Sequence, residues 1–257
     1  MLLGPHAPSW SSRIVPTSSR YLVSPSASLA HVMLRVPSVD ATVNFWINEM
    51  DGQVVRSTET TDGTIKSAFV SLGGSFALEL APSTNPFELG NSIDYIGISM
   101  LQQQQKQKQQ SQPSTSNDGI PLRRVASAPG DALARWVMHS NDLSATADFY
   151  TKVLGMESMG YNDEEMICLR YPNNDSGGVP TTLLFTPPPA DAAEIAIGNC
   201  FDHLAITIQD GDMDQEYAKL QEHHHPIFMK PTLMFGTMVM GVVDPNGYKV
   251  VLAAKRE

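Results

Sequence analysis

The feature that most constrains this fold is an internal repeat. Three segments recur further along the chain in the same order and at almost the same distance, between 104 and 108 residues. They are Ala41–Trp46 with Ala145–Tyr150, Leu78–Pro82 with Leu183–Pro187, and Leu89–Ser99 with Ile197–Thr207. Self-similarity at a fixed spacing is the sequence signature of a repeated architecture, so the chain is a tandem duplication of a module of about 105 residues.

Each module is predicted to run strand, helix and then further strands, twice over. Val32, Leu34 and Val36 alternate with His31 and Arg35, which is typical of a strand with one buried face. Ser38 precedes a helical spacing of apolar residues and is the expected N-cap. A second helix is predicted over 143–154, and the sequence Asp244-Pro-Asn-Gly predicts a tight turn before the last strand. The pattern indicates an α+β fold.

Composition excludes several classes of function. The chain has 17 Lys and Arg against 27 Asp and Glu, a net charge of −10, which is not the electrostatic footprint of a nucleic-acid-binding protein. No apolar run reaches the roughly 18 residues that a membrane-spanning helix needs. Two cysteines, Cys168 and Cys200, are too few for a disulfide framework or a structural four-cysteine zinc site.

The division into domains follows from the repeat and from composition. Residues 1–29 contain no acidic residue and many serines, which predicts either an organelle transit peptide (chloroplast or mitochondrion) or a disordered tail of a cytoplasmic protein. Residues 30–130 form the first module and 131–257 the second. Matching Ser99–Ile120 to Thr207–Ile227 places the glutamine-rich segment 102–112 in the slot of a module helix. Matching Pro129 to Pro231 then leaves the first module without its closing hairpin.

Several blocks resemble glyoxalase I (lactoylglutathione lyase) in its fused two-module form, a member of the vicinal oxygen chelate superfamily. They are His31-Val-Met-Leu-Arg35-Val, Leu78-Glu79-Leu80, Phe149-Tyr150-Thr-Lys-Val-Leu-Gly155, Gly198-Asn199 with His203-Leu-Ala, and Asp244-Pro-Asn-Gly-Tyr248-Lys-Val-Val-Leu252. The resemblance implies tandem βαβββ units that pair into open cups, with the first and fourth units sharing one cup and the second and third the other. It also implies a monomer that acts as an internal pseudo-dimer.

The same resemblance implies the site residues. His31, Glu79 and His203 stand at three of the four metal-ligand positions of the first cup, for Ni²⁺, Zn²⁺ or Co²⁺, and Val251 stands where the family has a glutamate. Glu79 would be the catalytic base, and Arg35 would bind the γ-glutamyl carboxylate of glutathione, the co-substrate. Strand alternation expects His203 to share a face with Phe201 and Ala205, opposite Asp202.

The second cup carries Tyr95, Arg135 and Leu184 at the corresponding ligand positions, and its fourth position falls in the missing hairpin. That cup is not expected to bind a metal as the family does.

The implied activity is isomerisation of the methylglyoxal–glutathione hemithioacetal to S-lactoylglutathione. Because Val251 can neither bind a metal nor move a proton, a non-catalytic protein that uses the cup to bind a small ligand or a partner is the main alternative. A metal-dependent dioxygenase is a third, since two histidines and one glutamate also describe a non-haem iron site.

Overall fold

The computed structural model describes residues 27–71, 76–83, 86–99, 115–125, 133–159, 166–171, 181–192, 194–208 and 212–255. In the first module the elements are β1 (Ala27–Val36), α1 (Val39–Met50), β2 (Gln53–Glu59), β3 (Ile65–Ser71), β4 (Ala77–Pro82), β5 (Ile93–Ser99) and β6 (Leu122–Val125). In the second they are β7 (Leu133–His139), α2 (Leu143–Asp148), β8 (Glu157–Ser158), β9 (Ile167–Arg170), β10 (Thr182–Thr186), β11 (Phe201–Ile208), α3 (Met213–Glu222), β12 (Ile227–Met234), β13 (Thr237–Val243) and β14 (Lys249–Ala254).

The strands form two sheets that pair the units as the sequence predicted. The eight-stranded sheet has the order β12-β13-β14-β11-β1-β4-β3-β2, and so joins the fourth unit to the first. The six-stranded sheet has the order β6-β5-β7-β10-β9-β8 and joins the second unit to the third. Within each unit the opening strand is parallel to the closing strand, and the opening strands of paired units are antiparallel.

One face of each sheet packs into a shared hydrophobic core. Val32 and Leu34 of β1 are fully buried there, together with Trp136 of β7 and Phe185 of β10. We call the opposite face of the eight-stranded sheet the first cup and the opposite face of the six-stranded sheet the second cup.

The helices begin where their capping residues predict. The Ser38 Oγ accepts a hydrogen bond from the Ala41 amide at 3.3 Å, and α1 buries Val39, Val43 and Trp46 against the sheet. The Asp142 carboxylate caps α2 in the same way at 2.9 Å. The predicted single helix over 143–154 instead continues from α2 as a π-helical turn, Phe149–Val153.

The first module is the less complete of the two, as predicted, but it retains the turn and the closing strand of the hairpin that was expected to be missing. In the turn Ser116–Gly119 the Ser116 Oγ accepts the amides of Asp118 (3.3 Å) and Ile120 (3.1 Å). The Asp244 carboxylate does the same for Asn246 and Tyr248 in the turn before β14, at 2.8 Å each. Gly119 and Gly247 both have positive φ, +87° and +88°, which favours glycine.

After its turn, β6 runs parallel to β5, as β14 runs parallel to β11. The module is still the shorter one, but residues are lost between β5 and Thr115 and not at its end. Matching the modules through Pro129 and Pro231 hid this, because a loss inside a unit shifts every later residue. The glutamine-rich segment 102–112 and residues 1–26 lie outside the described residues.

In the described part of the chain, no helix is long and apolar enough to cross a membrane.

Candidate metal centre

The first cup brings His31, Glu79 and His203 together through strand register. Met33 on β1 lies opposite His203 on β11 and beside Glu79 on β4. His31 is two residues before Met33 and therefore shares its face of the sheet. Because Val32 and Leu34 between them are buried in the core, all three predicted ligands point into the cup.

Their donor atoms are within range of a single ion. The His31 Nε2 is 3.0 Å from the Glu79 Oε2, and the donor atoms of all three residues lie within 4.8 Å of one another. Metal bonds of about 2.0–2.2 Å to imidazole and carboxylate require a similar spacing. Among the described residues, no other group of three His, Cys, Asp or Glu side chains is close enough to hold an ion.

His203 is held in place by Asp202, which strand alternation predicts on the opposite face. The His203 Nδ1 is 2.8 Å from the Asp202 Oδ1, which leaves the His203 Nε2 for an ion. Burial raises the pKa of Asp202, but the hydrogen bonds and charges of His203 and Arg35 outweigh it and lower that pKa to about 2. Asp202 is therefore ionised and orients the imidazole.

A β-bulge explains why alternation failed at this point. Met33 pairs with His203, but the next residue, Leu34, pairs with Phe201. The extra residue Asp202 bends β11, so that Asp202 and His203 both reach the cup side while Phe201 turns into the core. The aspartate directly before the candidate histidine was the one sequence signal for this contact.

Arg35 is on the cup side as predicted, and it has partners there. Its Nε donates to the Asp202 Oδ2 at 2.5 Å, and its Nη1 donates to the Pro82 carbonyl at 3.4 Å. The second module has a matching contact, in which the His139 Nδ1 lies 2.9 Å from the Pro187 carbonyl. The guanidinium thus supports the bulge and keeps one terminal nitrogen for a ligand.

Val251 completes the first cup with a hydrocarbon side chain. It lies opposite Ala205, which in turn lies opposite His31. The donor set of the first cup is two imidazole nitrogens and one carboxylate oxygen, which suits Ni²⁺, Zn²⁺ or Co²⁺ and leaves coordination positions for water and substrate.

The second cup presents different chemistry at the same positions. Tyr95, Arg135 and Leu184 take the places of His203, His31 and Glu79 in the six-stranded sheet. Arg123 on β6 takes the place of Val251, so the fourth position exists after all. Its guanidinium lies 4.1 Å from the centre of the Tyr95 ring.

Comparison with known proteins agrees with this architecture. Residues 132–252 match the Glyoxalase/Bleomycin resistance protein/Dioxygenase superfamily. No curated protein matches the chain. Among solved structures, glyoxalase I from Zea mays is 20% identical, with a TM-score of 0.69 over 89% of this chain and 92% of that one. A putative dioxygenase from Bacillus subtilis is 11% identical, with a TM-score of 0.65 over 90% of this chain and 86% of that one.

Identities this low establish the fold and not the reaction. The second module is similar to the Glyoxalase/Bleomycin resistance protein/Dioxygenase superfamily over residues 132–252, and the whole chain has the two-module fold of glyoxalase I.

Proposed function

We propose that the first cup binds one divalent metal ion through His31, Glu79 and His203 and isomerises the methylglyoxal–glutathione hemithioacetal to S-lactoylglutathione. The observation that carries the proposal is the convergence of these three donors, from the first and fourth units, to within 4.8 Å. Their side chains are only 15–21% exposed, so water competes weakly for them while one side remains open to substrate.

The bound ion would supply positive charge that stabilises the negative charge developing on two neighbouring substrate oxygens. Glu79 moves the proton: its carboxylate removes it from one carbon and returns it to the adjacent carbon, so that the atoms balance without an oxidant. General-base catalysis of this kind contributes about 10²–10⁴-fold.

Substrate positioning falls to Arg35. Two of its nitrogens are engaged by Asp202 and the Pro82 carbonyl, and the remaining terminal nitrogen would be the donor for the γ-glutamyl carboxylate. Asp202 fixes both Arg35 and His203, so the substrate contact and the metal ligand are set by one carboxylate.

A second candidate function, binding without catalysis, is favoured by Val251. In the family's usual mechanism a glutamate at this position is both a ligand and a proton acceptor, and valine can be neither. The cup would then hold a metal and a small ligand without turning it over.

The test is hemithioacetal consumption by the purified chain with Ni²⁺, Zn²⁺ or Co²⁺ added. The isomerase proposal predicts metal-dependent turnover that falls at least a hundredfold in Glu79→Gln. Metal binding without turnover would establish the binding protein instead, and turnover of a catechol with Fe²⁺ would establish the dioxygenase. Glu157→Gln, an exposed carboxylate in the second cup, is the matched control and should leave the rate unchanged.

We also propose that modules 30–130 and 131–257 act as one pseudo-dimeric monomer, and that residues 1–29 direct it to a chloroplast or mitochondrion. A single sedimenting species of 28.0 kDa tests the first statement. Organelle import of a fluorescent protein carrying residues 1–29 tests the second, and cytoplasmic retention would contradict it.

A further inference from the structure

We infer that the second cup is a binding site for a small organic anion that carries an apolar group. This site is separate from the proposed metal centre, on the other sheet, and does not depend on the activity of the first cup.

The anion-binding part is a row of side chains that crosses the six-stranded sheet. Arg123 pairs with Gly97, Gly97 with Arg135, and Arg135 with Thr182. On the next strand, Leu169 pairs with Leu183, so the residue after it, Arg170, lies beside Thr182. Three arginines are thus spaced along one line of the sheet, separated by the small residues Gly97 and Thr182.

All three arginines point into the cup and away from the core. Their strand neighbours Leu122, Trp136 and Leu169 are the buried ones, with 8%, 1% and 0% of their surface exposed. Residues adjacent in a strand face opposite sides of the sheet, so Arg123, Arg135 and Arg170 share the cup face.

Two of these arginines form no ion pair within the described part of the chain, although Glu157 lies opposite Arg170 in the sheet. Arg123 pairs loosely with Asp94, at 3.4 Å. Arg135 and Arg170 form no ion pair with any described carboxylate, and the Arg170 Nε is buried without a hydrogen-bond partner. A buried donor without a partner costs free energy that an incoming anion would recover.

Both arginines flank one position of the sheet. Arg135 on β7 pairs with Thr182, and Arg170 on β9 lies on the other side of Thr182. Burial raises the pKa of the Cys168 thiol, and the charges of these two arginines act on it in the opposite direction. Two guanidinium forks that flank one position are suited to a carboxylate or phosphate oxygen pair.

Beside the arginine row the floor of the cup is apolar. Val137, Cys168 and Leu184 form a buried cluster of their own, with Tyr95, Met159 and Met166 packed partly buried against it. A ligand whose anionic head meets the arginines would lay its hydrocarbon part on this cluster. The combination selects an amphipathic anion over a bare inorganic one.

Octanoate and its neutral analogue octanamide probe the site, because they differ only in charge at the head group. Calorimetric titration of the full chain should show octanoate binding at least tenfold more tightly than octanamide. The preference should disappear in the double variant Arg135→Gln Arg170→Gln. The matched control Lys152→Gln, an exposed cation on the π-helical turn, should retain it.

A second test uses the wild-type protein, so it does not depend on whether the arginine variants fold. Phenylglyoxal modifies accessible arginines, and octanoate should protect Arg135 and Arg170 from it, as read by peptide mass, while octanamide should not. Equal binding of the acid and the amide, or protection of neither arginine, overturns the proposal. Equal protection by inorganic phosphate at the same concentration overturns the claim that the site prefers an anion with an apolar group.

Discussion

The two cups share a backbone frame and carry opposite chemistry. Across the first cup one row of paired positions comprises Val251, Ala205, His31, Ala77, Ser71 and Gln53. The corresponding row of the second cup comprises Arg123, Gly97, Arg135, Thr182, Arg170 and Glu157. The first row contributes one side chain that can bind a cation, His31. The second row contributes three arginines whose N–H groups can bind an anion.

This difference teaches that the fold fixes positions and leaves their chemistry open. The core face of each sheet must stay apolar for the sheets to pack, as Val32 and Trp136 do at equivalent places on β1 and β7. The cup face is half-exposed, so a histidine can be exchanged for an arginine at little cost in stability. Function therefore follows the cup side chains and not the architecture.

Val251→Glu should have the largest effect, because it gives the first cup its fourth ligand and a second proton acceptor. We expect metal affinity to rise about a hundredfold, a gain of roughly 3 kcal/mol, and hemithioacetal turnover to rise with it. Arg123→Glu is the matched change in the second cup, where Tyr95, Arg135 and Leu184 stand at the other ligand positions, and should gain no metal. Equilibrium dialysis measures the metal affinity of both variants. Equal metal affinity in Val251→Glu and the wild type would contradict the placement of residue 251 at the fourth ligand position.

The two closing turns should differ in their response to pH. Burial raises the pKa of Asp244 to about 6, so between about pH 4 and 6 the folded chain keeps a proton that the unfolded chain releases. The free energy of unfolding should therefore fall by the order of 2–3 kcal/mol as pH rises through this window.

Asp244→Asn should remove this slope in urea titrations, whereas Ser116→Ala, in the turn with no titratable group at that position, should leave it in place. Asp202 acts with the opposite sign: its pKa of about 2 contributes stability that is lost as pH falls from about 4 towards 2. If the free energy of unfolding of Asp244→Asn keeps the same slope against pH, a group other than Asp244 causes the pH dependence.

Asp202→Asn should weaken metal binding by about tenfold, since loss of the partner of a ligating histidine costs 10–100-fold in affinity. Asp94 occupies the same place in β5 and pairs with Arg123, so Asp94→Asn is its matched control and should not change metal affinity. If both variants lose metal affinity equally, the contact between Asp202 and His203 is not what supports metal binding.

Arg35→Lys should have the smallest effect. It keeps the charge beside Asp202 but removes the fork, so the KM for the glutathione adduct should rise about fivefold while kcat changes little. His139→Gln, at the matching position of the second module, should leave KM unchanged. A fall in kcat at constant KM would place Arg35 among the residues that act on the metal ligands.

Much of this molecule could be predicted from its sequence, because alternation and helical spacing are local signals. The periods of β1 and α1 predicted their buried faces, whereas the pairing of the first and fourth units was implied by the resemblance to fused glyoxalase I. The bulge at Asp202 could not be found, because a single extra residue in a strand leaves no trace in alternation. The closing strand β6 was missed because its position depends on a partner strand, β5, and not on its own four residues.

The metal content of the purified chain tests the central claim most directly. Elemental analysis after dialysis against Zn²⁺ should find one equivalent per chain in the wild type and in Arg135→Gln, and less than a tenth of an equivalent in His31→Ala His203→Ala. Retention of a full equivalent by the double histidine variant, or its loss in Arg135→Gln, would contradict a metal centre in the first cup.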